Sequence, residues 1–180
     1  DARTVRLPPR YEPIRRLGKG GGGEVWAVRD RVDGREHALK SLADDASERE
    51  VLALVREASA LSGLEGLGVP RVLRFGRLPG DARPYLLREM VLGKSLSDRL
   101  DDGMPIDVAL LAVVRAADQL TKLHRSSLLH GDVKPANVIV GDDGTATLVD
   151  LGLAAPWREK GAAAIGLSPG TAAPELFTGG

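Results

Sequence analysis

The chain contains 180 residues, and its 25 basic and 25 acidic side chains give a formal net charge of zero. This size allows one large domain or two small lobes, and a neutral chain gives no electrostatic reason to expect a nucleic-acid partner. The absence of cysteine excludes disulfides, thiol catalysis and cysteine-zinc sites. No apolar run reaches the roughly 18 residues that a membrane helix needs. We therefore expect no membrane segment in this chain and a cytoplasmic location.

The first half of the chain predicts a small sheet with one helix. After a tail at residues 1–10, alternating apolar residues and turn signals such as Asp33-Gly34 predict five short strands. Their ranges are 11–17, 24–30, 35–42, 72–75 and 85–91. Between the third and fourth strands, apolar residues three and four positions apart predict a helix over 44–64. These residues are Val51, Leu54, Val55, Ala58 and Leu61.

The second half predicts a long helix followed by short strands and a loop. Residues 105–124 carry apolar side chains with helical spacing, which are Val108, Leu111, Ala112, Val114, Leu120 and Leu123. The turn sequence Asp142-Asp143-Gly144 predicts a hairpin between the last two strands. The strands are predicted at 128–130, 138–140 and 147–149. From residue 153 onward, the Ala- and Gly-rich sequence predicts a loop.

A segment at 130–140, His-Gly-Asp-Val-Lys-Pro-Ala-Asn-Val-Ile-Val, carries the residue types that phosphoryl transfer requires. Asp132 could accept a proton from a substrate hydroxyl, and Lys134 could offset charge on the transferred group. Asn137 and Asp150, which begins an Asp-Leu-Gly sequence, offer the hard oxygen ligands that Mg²⁺ prefers. The segment therefore predicts a phosphoryl-transfer site between two strands.

Further motifs occur in the order typical of one family. They are the glycine-rich loop at 18–25, Ala38-Leu-Lys40, Glu57, the hinge segment at 85–96 and Ala173-Pro-Glu175. With the catalytic segment, they make residues 11–180 resemble the eukaryotic-type protein kinases, and more closely their bacterial serine/threonine branch. The resemblance implies an α+β, bilobal kinase fold. Its N-lobe would be complete at 11–91, after the tail at 1–10, and only the first part of its C-lobe would be present at 92–180.

The resemblance also implies ATP and Mg²⁺ as cofactors and a serine or threonine hydroxyl of a protein as the acceptor. Lys40 would pair with Glu57 and hold the nucleotide phosphates, although Glu50 is an alternative partner. The catalytic set implied is Asp132, Lys134, Lys40 and Glu57, and the metal ligands are Asn137 and Asp150. The residues implied to contact the nucleotide are Leu17, Gly18, Gly20, Gly23, Val25, Ala38, Lys40, Glu89, Val91 and Ile139.

One departure from the family pattern concerns the activation loop. Gly131 replaces an arginine that grips a loop phosphate in the family, and residues 153–167 contain no Ser, Thr or Tyr. We therefore expect activity without loop phosphorylation. Ser168 aligns with a family threonine and is expected to bond Asp132 and Lys134.

Two further departures lie near the cleft. Arg88 occupies the gatekeeper position, which the family usually fills with an apolar residue or threonine. We expect this arginine either to extend to the surface or to point inward and pair with Glu57 or Asp150. Leu151 replaces a phenylalanine and keeps the position apolar.

Two other functions remain open. His-Gly-Asp also occurs in small-molecule phosphotransferases of the aminoglycoside-kinase type, although Asp-x-Lys-Pro-x-Asn and Ala-Pro-Glu favour a protein kinase. A pseudokinase or interaction module is the second alternative, favoured by Arg88 and by the all-glycine loop tip. Because the sequence stops at Gly180, soon after Ala-Pro-Glu, we expect a downstream segment or a partner to complete the C-lobe.

Overall fold

The computed structural model describes residues 7–20, 23–80 and 83–156. Its first part is an antiparallel sheet with one helix. The strands are β1 (Tyr11–Gly20), β2 (Gly23–Asp30), β3 (Glu36–Leu42), β4 (Val72–Arg77) and β5 (Pro84–Glu89), and the helix is α1 (Glu48–Gly63). The strand order is β1-β2-β3-β5-β4. Five strands and one helix were predicted here, and the prediction is confirmed.

The second part combines helices with short strand pairs. Its elements are β6 (Lys94–Ser95), α2 (Leu96–Asp101), α3 (Ile106–Arg125), β7 (Leu128–Leu129), β8 (Val138–Val140), β9 (Ala146–Leu148) and β10 (Ala155–Pro156). A 3-10 turn at Pro135–Asn137 leads into β8. The pairs β6·β8 and β8·β9 form one small sheet, and β7·β10 form another. The predicted α+β architecture is confirmed, while the lobe boundary between residues 91 and 92 stays a prediction.

The five-stranded sheet carries apolar side chains on both faces. Successive side chains along a strand point to opposite faces, so neighbouring apolar residues enter two different clusters. One face carries a cluster built around Tyr11, Val28, Leu39, Tyr85 and Leu87. The other face packs Leu42 and Leu86 against Leu54 and Leu61 of α1. Lys40 lies on this second face, two residues before Leu42 and opposite Leu86. The alternation therefore directs the lysine toward the helix.

Helix α1 begins later than the sequence predicted because a capping box fixes its start. The Ser47 side chain accepts from the Glu50 backbone N–H, and the Glu50 carboxylate accepts from the Ser47 N–H at 2.7 Å. Such reciprocal bonds satisfy helix N–H groups that have no partner within the helix. Of the predicted apolar face, Leu54 and Leu61 are buried, but Val55 is 39% exposed.

Helix α3 buries mainly small residues, together with one leucine near its end. Its buried side chains are Ala109, Ala112, Ala116 and Leu123. The branched residues Val108, Leu111 and Val114, which the sequence placed on the apolar face, are 39–57% exposed. Small side chains let the helix backbone approach β9, whose Leu148 N–H donates to Gln119 Oε1 at 2.6 Å. The helix was predicted correctly, and among the apolar residues predicted for it, Ala112 and Leu123 are buried and Leu120 packs against the core.

Several boundaries differ from the sequence predictions. Strand β5 ends at Glu89 rather than at residue 91, because the chain turns away to Gly93, which has a φ of 135°. Strand β9 lies one residue earlier than predicted, and β7 is one residue shorter. Helix α2, capped by Ser95, and strand β10 were not predicted.

Within the described ranges, no helix is both long enough and apolar enough to cross a membrane.

Candidate active site

Strand β3 and helix α1 bring the first two predicted site residues into contact. The Lys40 Nζ lies 2.7 Å from Glu57 Oε2. Glu57 is 1% exposed, so its charge is removed from water and needs this partner. Glu50, the alternative partner, is instead used in the capping box that begins α1. The pairing predicted for Lys40 therefore involves Glu57.

A second carboxylate approaches Lys40 from the segment after β9. Asp150 Oδ1 lies 2.8 Å from Lys40 Nζ, and Asp150 has a left-handed φ of 65°. Few residues other than glycine adopt this conformation, which is common at functional sites. The Val149 N–H donates to the Asn137 carbonyl at 2.9 Å. This bond holds the segment carrying Asp150 against the segment carrying Asn137.

The electrostatics of this group favour the charged forms of Lys40 and Asp150. Burial alone would lower the pKa of the Lys40 ammonium, but the Glu57 and Asp150 charges outweigh it and raise that pKa above its usual value. Burial would raise the pKa of Asp150, but Lys40 outweighs it and the pKa is lowered. An ionised Asp150 is the form that a divalent cation requires.

The predicted catalytic loop is held together by its own polar side chains. Asp132 Oδ2 lies 2.7 Å from Lys134 Nζ and accepts from Asn137 Nδ2 at 3.0 Å. The same Asn137 nitrogen donates to the Asp132 carbonyl at 2.8 Å. Because these bonds use the amide nitrogen, the amide oxygen of Asn137 is turned away from Asp132. The loop thus brings a carboxylate, an ammonium and an amide together.

His130 fixes the start of this loop. Its Nδ1 accepts from the Asp132 N–H at 3.3 Å, so the ring proton lies on Nε2, which donates to the Val149 carbonyl at 3.2 Å. Burial lowers the pKa of His130, which favours this neutral tautomer. The ring links the Asp132 loop to the strand that precedes Asp150.

The donor chemistry fits Mg²⁺. Asn137 and Asp150 supply an amide oxygen and an ionised carboxylate, both hard oxygen ligands. Their segments are joined through the Val149–Asn137 bond. Asn137 is only 6% exposed, so its side chain is already ordered by the Asp132 contacts. The residues present can hold the cation without an unusual ligand.

The residues predicted to contact a nucleotide lie on one sheet and the elements beside it. Gly18 is opposite Val25, Gly20 is opposite Gly23, and Val25 is opposite Lys40. A Cβ on Gly23 would lie 2.1 Å from the Ser41 carbonyl oxygen, so a side chain is excluded there. The remaining predicted contacts are Leu17 on β1, Ala38 on β3, Glu89 at the end of β5, Val91 just after it and Ile139 on β8.

The backbone N–H of Glu89 is already hydrogen-bonded within the protein. Its N–H donates to the Arg71 carbonyl at 2.9 Å. Its carboxylate bonds the Arg71 side chain at 3.1 Å. Because the N–H is already used, the predicted contact of the Glu89 backbone with a base would have to involve its carbonyl, and that contact stays a prediction.

Arg88 points inward, which is one of the two orientations that were expected from the sequence. Burial lowers the pKa of its guanidinium, while the charges of Glu57 and Asp150 oppose that change. Neither carboxylate, however, lies within 4.0 Å of the Arg88 guanidinium. Both carboxylates instead pair with Lys40, whose Nζ lies 2.7 Å from Glu57 and 2.8 Å from Asp150. The expectation that an inward Arg88 must pair directly with one of them was therefore wrong.

Gly131 has a backbone requirement that the sequence did not reveal. Its φ is 82°, and a Cβ there would lie 2.2 Å from the Leu153 carbonyl oxygen. Leu153 precedes β10, which pairs with β7 through Ala155 and Leu129. An arginine at this position could not be accommodated unless the segment around Leu153 moved. The glycine therefore brings the start of the activation segment against the catalytic loop.

The expected contacts of Ser168 and the Ala173-Pro-Glu175 motif lie outside the described residues. Leu151, the replacement for phenylalanine, is fully buried in the core that contains Leu54 and Leu61. This placement agrees with an apolar role for the residue after Asp150.

A second group of titratable residues lies in the turn between β2 and β3. Ligand atoms of Asp30, Asp33 and His37 all lie within 4.8 Å of one another. Both Asp30 oxygens, however, accept from Arg10 Nε at 2.8 and 2.9 Å, and Oδ1 also accepts from the Val32 N–H. The Arg10 hydrogen bond, above all, lowers the pKa of Asp30. We assign this group to ion pairing that holds the turn.

Comparison with known proteins agrees with this geometry. The protein kinase domain model matches residues 11–180. A probable serine/threonine-protein kinase of Clostridium perfringens is 34% identical over 152 residues, which cover 82% of this chain and 22% of that protein. The DNA damage-responsive serine/threonine-protein kinase RqkA of Deinococcus radiodurans is 33% identical, covering 83% of this chain and 23% of that protein.

A third relative extends the match along the chain. The serine/threonine-protein kinase PknD of Mycobacterium tuberculosis is 33% identical over 176 residues, covering 94% of this chain and 26% of that protein. The chain thus spans about a quarter of the length of these relatives.

The chain belongs to the protein kinase domain family, and the relatives it matches are bacterial serine/threonine-protein kinases. The kinase-like fold expected from the sequence is confirmed.

Proposed function

We propose that this domain is the nucleotide-binding and catalytic part of a serine/threonine protein kinase that depends on ATP and Mg²⁺. The observation that carries the proposal is the placement of Lys40 within hydrogen-bond distance of both Glu57 and Asp150. This group joins the sheet, helix α1 and the segment after β9 at one point. Positioning and charge compensation of this kind are what phosphoryl transfer requires from a protein.

Each residue has a distinct role in this proposal. Lys40, held by Glu57, orients the nucleotide phosphates, and the glycine loop covers them. Asn137 and Asp150 hold Mg²⁺, which when bound neutralises charge on the phosphates. Asp132 orients the acceptor hydroxyl and takes its proton, and Lys134 stabilises charge that develops during transfer. The acceptor is a serine or threonine of a protein, as the names of the relatives suggest.

We also propose that the kinase works without phosphate on its activation loop. Residues 153–167 have no hydroxyl side chain, and Gly131 has no side chain to read a phosphate. Contact between Gly131 and the Leu153 carbonyl, together with the β7·β10 pair, supplies another means of placing the start of this segment.

Two proposals concern what surrounds the domain. Downstream sequence or a partner is proposed to complete the C-lobe and to cover the exposed apolar residues of α3. These are Ile106, Leu110, Leu111, Val113 and Val114. A cytoplasmic location is proposed because the reaction consumes ATP.

The pseudokinase alternative keeps one specific observation in its favour. Arg88 places a second cation near Asp150, where it would oppose a bound metal. A pseudokinase would retain the fold and the ion pairs without transferring phosphate, so a comparison of binding with transfer separates the two functions.

The test compares Asp132→Asn with Asp150→Asn in the natural full-length protein. Asp132→Asn should reduce phosphate transfer at least about a thousandfold with Mg-ATP affinity nearly unchanged, because Asp132 acts on the acceptor hydroxyl. Asp150→Asn should weaken Mg-ATP binding itself, because it removes a charged ligand. Isothermal titration measures binding, and radiolabelled transfer to a protein substrate measures turnover. The proposal would be contradicted if both variants lost the same Mg-ATP affinity. It would also be contradicted if the unmodified protein bound Mg-ATP but transferred no phosphate.

A further inference from the structure

We propose that Arg88 weakens divalent-cation binding at Asp150 and thereby sets how strongly the cleft depends on Mg²⁺ concentration. This inference rests on the proposed function, since it concerns the same metal site. It assigns Arg88 a positioning and electrostatic role rather than a contact with the reacting atoms.

The strand register places the Arg88 side chain on the cleft side of the sheet. In the pairing of β3 with β5, Lys40 lies opposite Leu86 and Ala38 lies opposite Arg88. Residues two apart on a strand share a face, so Arg88 shares the face of Leu86 and Lys40. Leu86 packs into the core beneath α1, and the charges of Glu57 and Asp150 act on Arg88 from the same side.

Among the residues that the structure describes, the Arg88 guanidinium has no carboxylate within 4.0 Å. Lys40 is closer to both acids, at 2.7 Å from Glu57 and 2.8 Å from Asp150. The side chain is half-buried, so it borders the cleft without being released into solvent. Arg88 therefore interacts with the two carboxylates by longer-range electrostatic attraction and not through a close ion pair.

The charge balance of this group determines what a metal ion meets. Lys40 and Arg88 supply two positive charges, and Glu57 and Asp150 supply two negative charges, so the group is neutral before any cation arrives. Replacing Arg88 by an uncharged residue would leave a net charge of about −1. For a divalent ion several ångströms away, Coulomb's law gives a gain in affinity of at least about tenfold even at the dielectric of bulk water, and a larger gain at the lower dielectric of a half-buried site.

Shape gives a competing explanation that the choice of variants can separate. Arg88→Met removes the charge and keeps an unbranched, flexible side chain, although a shorter one. Arg88→Lys keeps the charge but loses the planar guanidinium. If charge is what matters, the Lys variant should behave like wild type, whereas a role in filling space would affect both variants.

Mn²⁺ alone is a suitable probe, because it avoids the metal that a nucleotide binds in solution. Free Mn²⁺ is followed by its electron paramagnetic resonance signal during titration of the natural full-length protein and its variants. Arg88→Met should lower the Mn²⁺ dissociation constant at least about tenfold. Arg88→Lys should stay within about twofold of wild type, as should Arg74→Met, which removes an exposed arginine from the neighbouring strand β4.

Adding Asp150→Asn to Arg88→Met should abolish the gain, which locates the effect at Asp150. Equal shifts in the Met and Lys variants, or no shift in Arg88→Met, would overturn the inference while leaving an Asp150-dependent metal site in place. If no variant shows Mn²⁺ binding that depends on Asp150, the inference about Arg88 is overturned, while the Mg-ATP titration of Asp150→Asn decides separately whether the proposed function stands. Thermal unfolding of each variant confirms that it is folded.

Discussion

Lys40 joins two carboxylates that would otherwise be costly to keep charged side by side. Glu57 is 1% exposed, and its carboxylate is 2.7 Å from the Lys40 ammonium. Removal of one partner from a buried ion pair usually costs far more than the pair contributes, because the other charge is left without compensation. The same ion pair therefore affects both nucleotide orientation and the stability of the fold.

Lys40→Met should lower the free energy of unfolding by about 3 kcal/mol at pH 7, because it leaves Glu57 charged and buried. The double variant Lys40→Met/Glu57→Gln should recover part of this loss, since the amide carries no charge. Urea unfolding of wild type, both single variants and the double variant gives the coupling energy. Additive effects of the two substitutions would show that the pair is not coupled in the folded protein.

At the scale of elements, the capping box at the start of α1 positions the helix that carries Glu57. Ser47 and Glu50 exchange bonds between side chain and backbone, and the Ser47 hydroxyl also donates to the Glu50 carboxylate at 2.7 Å. The hydrogen bond from the Ser47 side chain, followed by that from its backbone, lowers the pKa of Glu50 below its usual value of 4.5. The start of α1 is thus coupled to pH.

Ser47→Ala should destabilise the fold by about 1 kcal/mol at pH 7. Because the folded pKa of Glu50 is lowered, its contribution is fully present above about pH 4.5 and is lost as pH falls through the folded value. The stability difference between wild type and Glu50→Ala should therefore shrink below pH 4.5. In the Ser47→Ala background this pH dependence should weaken. Thermal unfolding between pH 7 and pH 3 measures all four proteins, and a gap that does not change with pH would contradict the cap.

At the scale of the whole molecule, the sequence predicted the elements that carry a strong periodic or motif signal. Lys40 was expected to pair with Glu57, and its Nζ lies 2.7 Å from that carboxylate, whereas its contact with Asp150 at 2.8 Å was not predicted. The five strands followed from alternation and turn residues, which are local properties. Asp132 and Lys134 were placed by a short segment whose geometry depends on few neighbours.

Features that depend on distant contacts were not predicted. Packing of α3 against β9 decides which of its apolar residues are buried, so the helical spacing could not show that Val108, Leu111 and Val114 are exposed. Gly131 was interpreted as a missing arginine, whereas the structure shows that the Leu153 carbonyl leaves no room for a side chain. The sequence could not decide where the Arg88 side chain lies. Its surroundings depend on Lys40, which forms the close ion pairs with both Glu57 and Asp150.

The placement of the activation segment leads to a prediction about the whole kinase. The β7·β10 pair and the Gly131 contact hold the start of this segment through backbone groups alone. Without a hydroxyl in residues 153–167, no phosphate can be added there to do the same. Phosphatase treatment of the natural full-length protein should leave the initial rate of transfer from ATP unchanged, as measured with radiolabelled nucleotide on a protein substrate. A large loss of rate, mapped by mass spectrometry to phosphate on Ser168 or Thr171, would show that the switch lies further along the segment.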